Sequence, residues 1–308
     1  MREFNEFYNP EIVGQIAAAG LSVHQFMEGP ISGQHRSPLQ GVSPEFADYR
    51  SYSPGDDLRN LDWRVYARSD RFYIKRFEEE SNLRAHVVLD ASASMNYGTE
   101  PSKFEYAATL GVALAATLLK QRDAVGLTTF NIVGKNHLKL SSAETQLNQI
   151  CQSLSQVEPG EETELGQVVS QLADQIGRRS LIIVISDLFT DLDSLYDAMG
   201  KVQYGGHEMI VFHVLDRAEV ELPFNQSVIF KDIEGAEELY AEPRSFRSAY
   251  QDAMREFMEE VEKRCLYCGI DYLSIFTDQD MGLLVSRFLH QRTRMGPKRH
   301  RGRMTNLK

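Results

Sequence analysis

Short apolar runs that stop at a polar or acidic residue constrain this chain more than any other feature. Residues 86–89 form one such run, ended by Asp90. Residues 181–185, LIIVI, form another, followed by Ser186 and Asp187. Runs this apolar read as strands buried on both faces. Helical patterns stand between them. In residues 103–120, Phe104, Ala107, Ala108, Leu110, Gly111, Leu114, Leu118 and Leu119 recur at helix spacing. Further helices are expected at 10–19, 145–154, 164–176, 192–202, 246–264 and 281–289. Further strands are expected at 71–77, 123–130, 138–140, 209–215 and 271–276, with a β excursion at 228–232 and 238–241. Such alternation specifies an α/β fold: a doubly wound, mostly parallel sheet flanked by helices, preceded by an irregular or β segment.

The end of the first run carries chemistry. In open α/β sheets, ligands bind beyond the carboxyl ends of the strands, which is where Asp90, Ser92 and Ser94 fall. The spacing Asp-x-Ser-x-Ser lets one carboxylate and two hydroxyls converge from a single turn. These are hard oxygen donors that suit Mg²⁺ or Mn²⁺. The plainer reading is that the serines cap a helix and Asp90 forms a turn.

Asp90-Ala-Ser92-Ala-Ser94 resembles the metal-ion-dependent adhesion site of von Willebrand factor type A domains. The resemblance implies a threonine from a second loop and an aspartate from a third. Thr163, in the loop running into the helix at 164, and Asp187, at the end of LIIVISD, match those places in order. The implied metal set is Asp90, Ser92, Ser94, Thr163 and Asp187. In such domains the open metal position takes a carboxylate from another protein.

A second resemblance lies upstream, in GQHRSPLQGVSPEFADYRSYSPGDDLRNLDWRVYARSDRFYIKRFEEES. This run is similar to the signature of the family called domain of unknown function fifty-eight, which precedes a von Willebrand A-like domain there. The likeness continues through LDASASM and SKFEYAATLGVALAATLLKQRDAVGLTTF, so that it covers roughly 33–187. It implies association with a MoxR-type AAA+ ATPase. The expected division is a signature segment at 1–82, the von Willebrand A-like domain at 83–290, and a disordered basic tail at 291–308, its disorder expected from Arg292 onward. Within the signature, Arg50, Asp56, Asp57, Arg59, Asp62, Arg64 and Arg68 could form an ion-pair clasp or a contact surface.

Charge and cysteine usage narrow the classes of function. The net charge is −11, which argues against a general nucleic-acid binder. From Arg287 onward there are eight Lys or Arg and no Asp or Glu, so the body is more acidic than the whole. Cys265-x-x-Cys268 lacks the further ligands of a zinc site and ends a helical pattern instead of opening one. Three cysteines and no leader sequence favour a reducing, cytoplasmic setting. No stretch approaches the ~20 apolar residues of a membrane span. No phosphate loop, dinucleotide turn or hydrolase elbow is present, and the haloacid-dehalogenase pattern would need an aspartate where Ser92 stands. The expectation is a metal-dependent protein-protein interaction module without catalysis, an adaptor for the ATPase. The alternative is a Mg²⁺-dependent phosphohydrolase using Asp90 and Asp187. A third possibility is an adaptor acting through the clasp with the metal site empty.

Overall fold

The computed structural model describes residues 6–19, 45–52, 62–69, 71–78, 83–98, 100–131, 134–160, 164–231 and 238–295. The chain divides into two compact units, Met1–Phe26 with Leu83–Lys308, and Met27–Asn82.

The larger unit is built on a six-stranded sheet. Its strands are β3 (Arg84–Asp90), β4 (Ala124–Asn131), β5 (Gly134–Ser141), β6 (Leu181–Ser186), β7 (Glu208–Leu215) and β10 (Asp271–Phe276), in the spatial order β10-β7-β6-β3-β4-β5. All neighbours are parallel except β4 and β5, which form an antiparallel pair at the edge. The chain moves outward from β3 through β4 and β5, then returns to β6 on the other side of β3. The strand order therefore reverses between β3 and β6, the point where open α/β sheets form a crevice for ligands.

Period-two alternation divides the strand side chains between two cores. Ala85, Val87 and Leu89 of β3 join Leu181, Ile183 and Ile185 of β6 on one face. Helices α1 (Pro10–Ala19), α3 (Lys103–Lys120), α4 (Gln146–Ser155) and α9 (Met281–Met295) supply the apolar residues that pack there. Val88, Ile182 and Val184 point to the opposite face, against α5 (Leu165–Gln175), α6 (Leu192–Tyr204) and α8 (Pro243–Tyr267). Helix α3 is buried on nearly every side, which explains its run of Ala and Leu; Gly111 lets it approach Leu89 and Ile185 closely. A hairpin of β8 (Val228–Lys231) and β9 (Glu238–Ala241) follows α7 (Arg217–Glu221). The expected α/β class is the observed one.

The smaller unit pairs β1 (Glu45–Ser51) antiparallel with β2 (Tyr73–Glu78) and contains α2 (Trp63–Ser69). Asp62 caps α2 by accepting from the Arg64 and Val65 amides. Tyr66 stacks on Phe72, and Trp63 and Tyr52 meet this pair edge-on. Arg64 and Arg68 are exposed; Asp56, Asp57, Arg59 and the Arg50 side chain lie outside the described residues.

Two expected boundaries need correction. Helix α1, assigned by sequence to a segment 1–82, belongs to the larger unit: Val13 and Ile16 are fully buried in its core, and Phe7 packs edge-on against Phe104. The expected tail at 291–308 starts too early, because α9 continues to Met295. Arg292, taken from the sequence as the start of disorder, is 5% exposed and anchors the helix: its Nη2 donates to Glu208 and its Nε to Asp271. Two carboxylates at the amino ends of β7 and β10 hold this arginine, a partnership that basic composition alone does not reveal. Residues 296–308 lie outside the described residues.

Candidate metal centre

The site is assembled at the crevice between β3 and β6. Asp90 is the last residue of β3 and shares its face with His86 and Val88. Register places Leu89 opposite Ile185, so Asp90 lies beside Ser186. The Ser186 hydroxyl donates to Asp90 Oδ2 at 2.5 Å, and the Ser92 amide donates to Asp90 Oδ1 at 2.9 Å. Both carboxylate oxygens are thus oriented by hydrogen-bond donors. Asp90 is 5% exposed. Burial, and then the nearby Asp187 carboxylate, push its carboxyl well above the usual carboxylate range, against the hydrogen bonds from Ser186 and Ser92.

After Asp90 the chain makes a single 3₁₀ turn, Ala93–Asn96. The Ser92 side chain makes no capping hydrogen bond to that turn, so capping does not account for it. Instead Ser92 Oγ and Ser94 Oγ face each other at 3.0 Å. Adjacent ligands of an octahedral Mg²⁺ with bonds of about 2.0–2.1 Å stand about 3 Å apart. The two hydroxyls therefore have the spacing of one edge of a Mg²⁺ coordination shell, with the Asp90 carboxylate fixed behind them. The donor chemistry and the spacing both fit the ion.

Asp187 follows β6 and is fully buried. Leu188 adopts a left-handed conformation with φ of 58°, which turns the chain back so that the Phe189 amide donates to Asp187 Oδ1. A buried branched residue in that region is strained, and such strain collects at functional sites. The Asp187 carbonyl contacts His213 Nε2 at 2.9 Å, and Tyr272 hydroxyl meets His213 Nδ1 at 2.7 Å. Asp90, Ser92, Ser94 and Asp187 thus all lie at the carboxyl ends of β3 and β6. Thr163 lies outside the described residues; the next residue but one, Leu165, begins α5.

Ser186 and Glu219 escaped the sequence reading; Lys103, which the sequence offers as a lysine partner for a phosphoryl-accepting Asp90, is the third participant. Lys103 is the first residue of α3, placed there by a capping box in which Ser102 Oγ accepts from the Glu105 amide and Glu105 accepts from the Ser102 amide. Its ammonium is fully buried and donates to Asp187 Oδ2 at 2.7 Å and to Glu219 Oε1 at 2.6 Å. The rings of Phe189 and Tyr97 lie 5.1 Å and 5.9 Å from it. Glu219 belongs to α7, whose start is capped by Asp216. Burial raises the Glu219 carboxyl, and Lys103 opposes that shift. A signal for Glu219 was present: VFHVLD ends in Asp216 just as HVVLD ends in Asp90, so the loop after β7 joins the same edge. Cys265, by contrast, is a buried core residue with Cys268 at the helix end, and among the described residues no metal-holding group of His, Cys, Asp and Glu is found.

Residues 48–260 match the family model described as protein of unknown function DUF58. The chain is 25% identical over 292 residues to the uncharacterized protein Rv1480 of Mycobacterium tuberculosis (strain ATCC 25618 / H37Rv), covering 93% of this chain and 91% of the relative. Among solved structures, the conserved hypothetical protein BatB from Bacteroides thetaiotaomicron is similar over 68% of this chain and 98% of its own, with a TM-score of 0.46 and 18% identity. The SpRpn10 VWA domain is similar over 68% and 95%, with a TM-score of 0.40 and 13% identity. Among the described residues, no helix is long and apolar enough to cross a membrane.

Proposed function

The chain belongs to the DUF58 family, and we propose that it is a metal-dependent protein-interaction module which binds an acidic residue of its partner through Mg²⁺ or Mn²⁺. The observation that carries this reading is the hydroxyl pair, Ser92 and Ser94, 3.0 Å apart at the crevice with Asp90 held behind it. Asp90, Asp187 and Glu219 bring three carboxylates to a site with one lysine, so a divalent ion relieves uncompensated negative charge. Thr163 completes the proposed set. Neutral hydroxyls neutralise little of the ion's charge, and an incoming Glu or Asp therefore gains a strong interaction in a partly dry site. The net charge of −11 opposes an acidic partner at long range, so the contact is local and metal-dependent.

The proposed partner is a MoxR-type AAA+ ATPase or its substrate, with the chain acting as an adaptor in the cytoplasm. Capture of such an ATPase by the full chain in Mg²⁺ tests the reading. EDTA and Asp90→Ala are each expected to weaken capture at least tenfold. Capture that is indifferent to both would move the contact away from the metal.

One observation favours the alternative, a Mg²⁺-dependent phosphohydrolase: a buried lysine on the second aspartate, Asp187. Hydrolysis of p-nitrophenyl phosphate that requires Mg²⁺, Asp90 and Asp187 would establish it over the adaptor.

A further inference from the structure

The buried ammonium of Lys103 bears on how the metal centre is loaded. Metal sites of hard oxygen ligands need deprotonated carboxylates with free lone pairs. Asp187 Oδ1 accepts from the Phe189 amide, and Oδ2 accepts from Lys103 at 2.7 Å. The carboxylate is therefore already serving a cation. That cation is covalently tethered, fully buried, and fixed at its backbone by the capping box of α3 and by donation of the Lys103 amide to the Tyr97 carbonyl. It has a second anchor, Glu219 Oε1, at 2.6 Å. Glu219 is itself positioned by the Asp216 amide on its other oxygen. The ring of Phe189, 40% exposed and stacked on Phe257, lies 5.1 Å from the ammonium.

We propose that Lys103 is an internal cation which competes with the divalent ion for Asp187, with Glu219 as the place to which it withdraws. The inference rests on the reading of Asp90, Ser92 and Ser94 as metal ligands. Without metal, Lys103 compensates Asp187 and keeps the loop after β6 in place. With metal bound, Asp187 would be shared with the ion and Lys103 would rely more on Glu219. Two cations share one carboxylate, so binding of one lowers the affinity of the other. Lys103 thus makes the metal site weak and readily reversible, and ties its loading to α7 through Glu219.

Simple charge removal would also alter metal affinity, so the test is a double-mutant cycle through Asp187. Mn²⁺ is titrated into the full chain, with bound ion read by electron paramagnetic resonance. Lys103→Met is expected to bind Mn²⁺ at least tenfold tighter than the wild type and to melt at a lower temperature in EDTA, recovering with metal. Asp187→Asn alone is expected to weaken binding, because it removes the carboxylate that Lys103 and the ion share. In Lys103→Met with Asp187→Asn the gain is expected to vanish. Lys103→Gln, which removes the charge but keeps a polar side chain, serves if the methionine variant does not fold, with a gain of the same sign. Affinity unchanged by Lys103→Met and Lys103→Gln, or a gain that survives in the double variant, overturns the proposal while leaving the metal reading intact. Binding by Lys103→Met but not by the wild type supports the competition and removes metal dependence from the wild type. Failure of every variant to bind Mn²⁺ overturns both.

Discussion

At the scale of single residues, the crevice is dominated by the cost of burying charge. Asp90 is destabilising in its ionised form until something positive compensates it, since burial and Asp187 both favour the protonated acid. Two buried histidines on the same sheet act in the other direction. Burial lowers His86 to about 4, with His137 and His207 adding to the effect; among the described residues, His86 Nε2 has no hydrogen-bond partner. Burial also lowers His213 to about 4, although the Asp187 carboxylate and carbonyl oppose it. Both rings are neutral when folded and take up a proton near pH 6.5 when unfolded. Each therefore contributes stability that is complete above pH 6.5 and is lost as pH falls to 4, on the order of 3 kcal/mol per ring. The raised carboxyl of Asp90 has the opposite sign over this window and offsets part of the loss. Urea denaturation at pH 7 and pH 4.5 is expected to show the net decline, and His86→Val is expected to remove most of it, since Asp90 offsets part of the loss from the two rings. An unchanged difference in that variant would mean that His86 is already protonated in the fold.

At the scale of elements, the loops are delivered by helices pressed tightly against their neighbours. Gly166, in the first turn of α5, lies where a Cβ would come within 2.7 Å of the Leu195 amide and closer still to Ser194. Helix α5 can start where it does only because this position has no side chain. Gly166→Ala is expected to cost about 1–3 kcal/mol and to weaken metal binding, because Thr163 precedes α5 by two residues and α5 must shift. Calorimetric melting and a Mn²⁺ titration check the two effects, and a variant with wild-type values in both would detach α5 from the site. Most elements were legible because periodicity and apolar content agreed: α1 and β10 have their expected bounds, and LIIVI is a fully buried strand. The misses have separate causes. Helix α2 hides its apolar residues among arginines, α7 is too short to show a period, and the end of α9 depends on ion pairs formed by Arg292 with distant strands. Likewise Ser92 and Ser94 advertised themselves by spacing, whereas nothing in the sequence around Lys103 pointed to its carboxylate partners. Its partners, Asp187 and Glu219, lie 84 and 116 residues away, and only the strand order brings them together.

At the scale of the whole molecule, one reversal of strand order accounts for the site. It sets β3 beside β6, brings Asp90 to Ser186, and leaves a crevice whose loops come from three strands. The central claim is that this crevice holds a divalent ion on the hydroxyls of Ser92 and Ser94. Isothermal titration of Mg²⁺ into the full chain, beside Asp90→Ala and the Ser92→Ala, Ser94→Ala double variant, tests it most directly. The account predicts saturable heat for one ion in the wild type and none in either variant, with the variants still showing a cooperative melt. Equal binding by the wild type and the serine variant would contradict it, because the ion would then sit somewhere other than on the two hydroxyls.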